Sequence, residues 1–319
     1  GAWRGILSSE RFWKMNKAGY LVTRNGGWSV GALWGAILAL GYCLGHGEAR
    51  WGPGMDTQPA APEKTLLRPV PPWAEGKTHL HTLPVKCRDF TTDKLQNVYL
   101  IDDNNRVYKF GPGGTEQFHY NNNTRGRLSY IDPTDPFNLL LFYPELQAVA
   151  MLDRTMNETA LLELFTAGVI NATAIGLAID NNIWVYDQAA FRLLKVGPGG
   201  KVLLRSDNLS ALLQSPPQAT QLLANNNLIY LNCPGQGVYV FDNFGQFHQR
   251  LPFPNVESLQ ILDGKLLLYE QGQVRVYNPE TLREKWLRPD TTGVRHLRYQ
   301  GNRLYEHNAE GLVDVYKKS

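Results

Sequence analysis

Asn97-Val-Tyr-Leu-Ile-Asp102, followed a few residues later by Lys109-Phe-Gly-Pro-Gly-Gly114, has a close counterpart near the middle of the chain. The counterpart is Asn182-Ile-Trp-Val-Tyr-Asp187, followed by Lys195-Val-Gly-Pro-Gly-Gly200. The two Gly-Pro-Gly-Gly turns begin 86 residues apart, which is twice 43. A repeat of about 40 to 50 residues made of short strands and turns is typical of a β-propeller blade. The repeat therefore predicts an all-β propeller.

The same pattern of two apolar strands recurs six times. The strands that we interpret as opening each unit begin at Val98, Leu140, Ile183, Ile229, Leu266 and Arg303. The strands that follow them begin at Arg106, Ala148, Arg192, Gly237, Gln273 and Gly311. Aromatic and β-branched residues dominate these strands, and Asn, Asp, Gly and Pro separate them. Six units fit between residues 88 and 319, which predicts six blades, with five and seven as the alternatives.

The sixth unit is short of a strand, since only three residues follow Tyr316. A propeller must close its ring, because an exposed strand edge promotes aggregation. The partly alternating stretch Thr78-His-Leu-His-Thr-Leu-Pro-Val-Lys-Cys87 is the candidate for the missing strand. We therefore expect a strand from the N-terminal side to complete the last blade.

The N-terminal part differs in composition from the rest. Residues 28–45 form an uncharged, mainly apolar run, with Lys17 and Arg24 before it and small residues around Ala49 after it. A basic segment, an apolar segment and a small-residue exit together predict a secretory signal. We assign residues 1–49 as this leader helix segment.

Alternatives to a cleaved signal stay open. A retained membrane anchor is one, because 18 residues is near the lower limit for spanning a bilayer. A lipoprotein signal ending at Cys43 is another, and a buried core helix is the third. Met15 is a candidate start, which would leave residues 1–14 outside the native protein.

The Pro-rich segment 50–76 is interpreted as a linker, and residues 77–319 as the propeller. The chain carries 32 Lys and Arg against 29 Asp and Glu, a net charge of +3. Residues 1–49 hold five basic and two acidic side chains, so the remainder has 27 of each. A neutral body without blocks of Lys or Arg gives no support to nucleic-acid binding.

Motifs for catalysis, cofactors and metals are lacking in the sequence. Cys87 and Cys233 are expected to be free, buried thiols, and no Cys-x-x-Cys pair is present. His79 and His81 share one face of a strand, which favours exposed polar residues over a metal site. We predict no catalytic residues, no cofactor and no metal.

Two further acidic stretches are interpreted as turns. Asp102-Asp-Asn-Asn105 has the composition of a calcium loop but lacks its Gly and distal Glu. Asp132 and Asp135 flank prolines, as turn residues do. An enzyme remains the competing class, and its available acid and base residues are Asp132, Asp180, Asp290, His296 and His307.

The strand segments Ile183-Trp-Val-Tyr-Asp187 and Gly237-Val-Tyr-Val-Phe-Asp242 resemble those of exported bacterial propellers of the NHL and quinoprotein-like kind. In particular they are similar to an envelope propeller common in Gram-negative bacteria. The Gly-His and Trp-Asp signature of WD40 repeats is missing, as are the tryptophan-docking repeats of quinone-dependent dehydrogenases. The resemblance implies a fold and an envelope location, and it supplies no catalytic residues.

The favoured function is a non-catalytic protein-interaction scaffold of the bacterial cell envelope, periplasmic or membrane-tethered. A rigid ring with two broad loop faces suits docking of a partner. Partner-contact candidates are Tyr120, Arg125, Phe137, Phe191, Phe244 and Phe247. We expect an envelope protein as partner, a monomeric propeller, and membrane contact only through a retained leader. The alternatives are a propeller hydrolase or lyase acting on peptide or glycan, and a propeller that binds carbohydrate or another small ligand.

Overall fold

A computed structural model of the protein describes residues 76–211, 217–225, 227–287 and 292–318, together with one short strand pair near the N-terminus. The chain divides into two compact units, residues 1–64 and residues 65–319. In the first unit, β1 (Lys14–Met15) pairs antiparallel with β2 (Leu21–Val22). The predicted apolar leader run and the predicted linker, except its last residue, lie outside the described residues and stay predictions.

Six antiparallel four-stranded sheets form the second unit. Blade 1 contains β4 (Asp89–Thr92), β5 (Val98–Ile101), β6 (Val107–Phe110) and β7 (Glu116–Tyr120). Blade 2 contains β8 (Tyr130–Asp132), β9 (Leu139–Tyr143), β10 (Ala148–Leu152) and β11 (Glu158–Glu163). Blade 3 contains β12 (Ala172–Leu177), β13 (Ile183–Asp187), β14 (Arg192–Val196) and β15 (Val202–Arg205).

The remaining blades have the same arrangement. Blade 4 contains β16 (Gln221–Asn225), β17 (Leu228–Cys233), β18 (Gly237–Asp242) and β19 (Phe247–Leu251). Blade 5 contains β20 (Ser258–Leu262), β21 (Lys265–Glu270), β22 (Gln273–Asn278) and β23 (Arg283–Leu287). Blade 6 contains β24 (Val294–Gln300), β25 (Arg303–Asn308), β26 (Val313–Lys318) and β3 (Lys77–Leu83). Two 3₁₀ turns, η1 (Leu164–Ala167) and η2 (Leu209–Ala211), follow the outer strands of blades 2 and 3.

The first strand of each blade is the innermost one, because these strands contact each other around the ring. The six-bladed propeller predicted from the sequence is confirmed. The strands interpreted as opening each unit are the second strands, however, and that part of the interpretation was wrong. The inner strands escaped notice because they are short and polar, as Asp89-Phe-Thr-Thr92 and Tyr130-Ile-Asp132 illustrate.

Ring closure follows the sequence prediction. The strand β3 pairs antiparallel with β26 and supplies the fourth strand of blade 6, with Leu83 opposite Val313. Leu83 is fully buried, and the Lys77 ammonium lies 2.6 Å from the Glu306 carboxylate. Both termini of the propeller thus meet in one sheet, which removes two free edges.

The core consists of six apolar clusters, one between each pair of adjacent blades. Their largest fully buried side chains lie mainly on the second strands, and these are Tyr99, Tyr143, Trp184, Tyr186 and Tyr305. The face-to-face packing of neighbouring sheets explains why both sides of the middle strands are apolar.

Side chains also link neighbouring blades through the backbone of the inner strands. The Gln221 amide accepts a hydrogen bond from the Leu259 N–H at 2.7 Å and donates one to the Leu259 carbonyl at 3.0 Å. The Gln260 amide bonds to the backbone of Tyr299 in the same two-way manner. Each amide substitutes for a missing backbone partner, because inner strands have no neighbour on their channel side.

Candidate functional site

Inner strands all begin at one face of the ring, which we call the pocket face, and end at the opposite face. Two adjoining cavities of about 330 and 380 Å³ open along the central channel at the pocket face. They share the lining residues Ser129, Tyr130, Thr220 and Gln221. A concave space lined by apolar side chains and a few convergent polar groups is a default place to look for ligand binding.

The strand β24 directs two basic side chains into this space. Leu297 and Tyr299 pack against blade 5 in one core cluster. Strand alternation therefore turns His296 and Arg298 to the other side of β24, where both line the cavity. This placement is encoded by the alternation of charged and apolar residues in Val294-Arg-His-Leu-Arg-Tyr-Gln300.

The imidazole of His296 is held by contacts from the two neighbouring blades, 5 and 1. Its Nε2 lies 3.2 Å from the Ser258 hydroxyl, and its Nδ1 lies 4.0 Å from the Asp89 carboxylate. The rings of Phe90 and Tyr269 pack on it with centroid distances of 5.2 and 5.8 Å. Burial, reinforced by the charge of Arg298, lowers the pKa of His296 to about 3. The ring is therefore neutral at physiological pH.

The guanidinium of Arg298 has no hydrogen bond or ion pair to any described residue, and its Nε is buried without a partner. Desolvation lowers the pKa of Arg298, while Tyr130, Asp89 and Asp132 act in the opposite direction from a distance. Arginine stays charged in proteins even so. The channel thus contains a cation whose hydrogen-bonding capacity is unfilled.

Two carboxylates, those of Asp89 and Glu257, share the cavity with the Arg298 cation and the neutral His296. Asp89 begins the inner strand of blade 1 and lines the cavity, and about half of its side chain is exposed. Burial raises the pKa of Asp89, although the Phe90 N–H donates a hydrogen bond to it at 2.8 Å. Solvent in the channel moderates that rise, since the carboxylate is not sealed from the exterior. Glu257 and Arg295 also line the cavity.

Residues considered as acid and base supply for an enzyme do not converge. Asp132 is fully buried and accepts a hydrogen bond from the Leu177 N–H at 2.6 Å, which links blades 2 and 3. Asp180 forms an ion pair with Lys195 at 2.5 Å at the opposite face. Asp132 and Asp180 therefore have structural partners away from the cavity.

The remaining members are also separated. His307 is buried and donates a hydrogen bond from Nε2 to the Cys87 carbonyl at 3.0 Å. His296 alone lines the cavity, and Asp290 lies outside the described residues. Among the residues that the structure describes, no group of three or more His, Cys, Asp or Glu side chains is placed to hold a metal ion.

Both cysteines of the propeller are buried and unpaired. The Cys87 sulfur lies 3.7 Å from His307 Nε2, a contact that superficially suits nucleophilic catalysis. Burial raises the pKa of Cys87 to about 12 and the pKa of Cys233 to about 12. Neither thiol supplies a thiolate at neutral pH, so their role is packing.

The six predicted partner-contact residues differ in their surroundings. Tyr120 and Arg125 both bond to the Glu158 carboxylate, the latter through two nitrogen atoms at 2.7 and 2.9 Å. Phe191 is half-buried at a turn with positive φ. Phe247 packs edge-on against Phe241.

Phe137 and Phe244 are the two well-exposed members of that set, at 57% and 65%. Both lie on loops at the opposite face, away from the cavity. The assignment of partner contacts stays a prediction for all six residues.

Sequence reasoning missed Arg298, Ser258 and Asp89 as channel residues. They lie on three different blades, and only the ring brings them to one cavity. The available signal is the pair of basic residue types, His296 and Arg298, at alternate positions of β24. The inner strand of blade 4, in contrast, has mainly apolar residues in its middle.

No family model and no curated protein matches the chain. Similar solved structures include a streptogramin B lyase, with a TM-score of 0.52, 11% identity, and 76% of this chain and 87% of that chain covered. Catalytically inactive virginiamycin B lyase from Staphylococcus aureus has a TM-score of 0.50 and 12% identity, with 72% of this chain and 80% of that chain covered. The Pan2 WD40 domain of Neurospora crassa has a TM-score of 0.50 and 12% identity, with 77% of this chain and 96% of that chain covered. At these identities the likeness shows the fold alone, and the chain is a β-propeller.

Within the described ranges, no helix combines the length and the apolar character needed to cross a bilayer.

Proposed function

We propose that this protein is a non-catalytic binding propeller whose ligand is a small molecule with an oxyanion, held in the central channel. The observation that carries the proposal is the guanidinium of Arg298, which faces the cavity without a hydrogen-bonding partner among the described residues. A desolvated charge without a partner is costly, and a bound oxyanion offsets that cost. The planar guanidinium matches the geometry of carboxylate and phosphate groups.

The surroundings of Arg298 refine the ligand class. Phe90, Tyr130 and Tyr269 provide aromatic walls, and Ser129 and Thr220 provide hydroxyl groups. The two carboxylates in the cavity disfavour a polyanion. A singly charged, partly apolar ligand with hydroxyl groups fits this lining best.

Covalent catalysis is supported less well than binding. Ser258, His296 and Asp89 lie in series, as in a nucleophilic triad. An imidazole with a pKa of about 3 is a weak general base at neutral pH, because a base works best near the working pH. The 4.0 Å separation between His296 and Asp89 is also too long for an orienting hydrogen bond.

A protein-interaction scaffold of the cell envelope, favoured by the sequence, is the second candidate. The observation in its favour is the exposure of Phe137 and Phe244 on loops of one face. Envelope location, whether periplasmic or membrane-tethered, is part of both candidates and comes from the leader prediction. Crosslinking in envelope extracts tests the scaffold, since the double variant Phe137→Ser/Phe244→Ser should lose any captured partner.

Isothermal titration calorimetry of the full chain tests the binding proposal. The probes are short-chain hydroxy acids, aromatic monocarboxylates, sugar monophosphates and their neutral amide or alcohol analogues. We expect an acid to bind, its neutral analogue not to bind, and Arg298→Met to weaken binding at least tenfold. Arg283→Met is the matched control, because Arg283 is exposed on the outer strand of blade 5. Equal binding by Arg298→Met and the unaltered chain would overturn the proposal, as would the absence of binding across the panel.

A further inference from the structure

Large apolar side chains are exposed at the tips of loops on the opposite face. One such side chain projects from each of blades 1 to 5, and these are Leu95 (50% exposed), Phe137 (57%), Ile179 (79%), Phe244 (65%) and Leu282 (66%). All five follow either the first or the third strand of their blade. The first strand of a blade runs from the pocket face to the opposite face, and the antiparallel third strand runs in the same direction. The loops that follow these two strands therefore both lie at the opposite face.

The pocket face differs in this respect. Among the described residues, its exposed large apolar side chains are Leu146, Phe165 and Ile170, and all three lie in blade 2 or in the connection from blade 2 to blade 3. On the opposite face the apolar tips are distributed over five successive blades. Exposed apolar groups spread across one side of a protein mark an interaction surface.

The chain itself leaves the propeller at this same opposite face. The outer strand β3 runs antiparallel to β26, which ends at the opposite face, so β3 begins there at Lys77. The sequence before Lys77 contains the Pro-rich segment 50–76 and, before that, the uncharged run 28–45. A run of that length and composition has affinity for the apolar interior of a bilayer.

We infer that the opposite face binds the surface of a lipid bilayer, with the five apolar loop tips inserted at the level of the headgroups. The chain before Lys77 and the loop tips then approach the membrane from the same side. A segment held at the bilayer raises the effective concentration of the loop tips there, so weak individual insertions act together. In this arrangement the cavity with Arg298 faces away from the lipid.

Charge on this face indicates which part of the lipid is recognised. The exposed charged residues of its described loops are Lys94, Arg154, Lys201, Asp180, Asp263 and Glu280, three of each sign. Loops with balanced charge gain little from anionic headgroups. Binding should therefore depend on apolar insertion, with a weak response to salt and to anionic lipid.

Environment-sensitive fluorescence tests the orientation directly. A single cysteine is introduced as Phe244→Cys or, as the matched control on the pocket face, as Ile170→Cys, which replaces a side chain of similar exposure (64%). Both are made in the full chain with Cys43→Ser, and the remaining cysteines are buried. The labelled proteins are mixed with phosphatidylcholine vesicles, with and without phosphatidylglycerol.

The expected result is a blue shift of the label at position 244 on adding vesicles, with no shift at position 170 and little change from anionic lipid. No shift at position 244, or equal shifts at both positions, would overturn the inference. A shift at position 244 that requires an added envelope protein and no lipid would assign the face to a protein partner, which also overturns it.

Loss of affinity provides a second measurement. We expect Phe137→Ser/Phe244→Ser to reduce vesicle co-sedimentation at least fivefold, while Phe165→Ser/Ile170→Ser leaves it unchanged. Thermal unfolding checks that both double variants are folded. The inference is independent of the proposed ligand, because Arg298→Met should bind vesicles like the unaltered chain.

Discussion

The Ser258 hydroxyl lies 3.2 Å from Nε2 of His296, and the two side chains belong to the inner strands of neighbouring blades. Gln260 links the same two strands further along, through the backbone of Tyr299, and Gln221 makes a comparable link between the inner strands of blades 4 and 5. His296 therefore belongs both to the binding cavity and to the series of links that holds the inner strands in register. Because of this double role, protonation of His296 should change both the stability of the propeller and its binding of a ligand.

Acidification should destabilise the propeller through His296. Its pKa is about 3 in the folded protein and about 6.5 in the unfolded chain, so the unfolded state binds the proton first as pH falls. The contribution of neutral His296 to the free energy of unfolding is complete above pH 6.5, and it declines as pH falls from 6.5 towards 3. Between about pH 7 and about pH 5 the loss attributable to this residue is roughly 2 kcal/mol.

Thermal unfolding at about pH 7 and about pH 5 measures that loss. His296→Gln keeps a hydrogen-bonding side chain and cannot titrate, so its melting temperature should fall by several degrees less than that of the unaltered chain. Equal pH dependence of the two proteins would contradict the prediction. His119→Gln, at an exposed position of β7, is the control for replacing a histidine that lies outside the links between inner strands.

The glutamine links between blades predict a second set of stability changes. Gln260→Leu leaves the N–H and carbonyl of Tyr299 without this partner inside the ring. An unsatisfied buried backbone group costs about 1–3 kcal/mol. Urea unfolding should show a loss of that size, whereas Gln246→Leu, at an exposed turn position, should change stability by less than about 0.5 kcal/mol. A neutral effect at position 260 would mean that water replaces the amide.

Closure of the ring depends on apolar packing more than on contacts at the surface of β3. Leu83 is fully buried, while Leu80 in the same strand is 41% exposed. Leu83→Ala should destabilise the protein by about 2–5 kcal/mol, and Leu80→Ala by less than about 1 kcal/mol. Chemical denaturation with far-UV circular dichroism distinguishes the two. Similar losses for both variants would show that pairing of the strand, and not its packing, provides the closure.

Much of the fold could be predicted from the sequence because the middle strands of every blade are buried on both sides. Val98-Tyr-Leu-Ile101 is buried along its whole length, as is Ile183-Trp-Val-Tyr-Asp187. Such strands are continuous apolar runs between turn residues, and the turns at Gly114 and Gly200 adopt the positive φ expected of glycine. The closing strand was predictable because the last repeat is visibly incomplete.

The candidate site was less predictable, for a geometric reason. Ser258 and His296 are 38 residues apart, and Asp89 comes from the other end of the propeller. Their proximity depends on ring closure and on the relative register of three inner strands, which the pattern within any single strand does not reveal. Asp132 illustrates the converse case, because a residue available in the sequence for acid–base chemistry is a buried link between blades 2 and 3.

The origin of β3 also sets the order in which the molecule can assemble. Lys77 and Glu306 are separated by 229 positions, so the ribosome makes β3 first and its partner strand last. The five complete blades can fold in turn as synthesis proceeds, while β3 has to wait without its pairing partner. A chain that stops early, or loses β26 to a protease, therefore leaves both β25 and β3 with an unpaired strand edge instead of forming a smaller propeller.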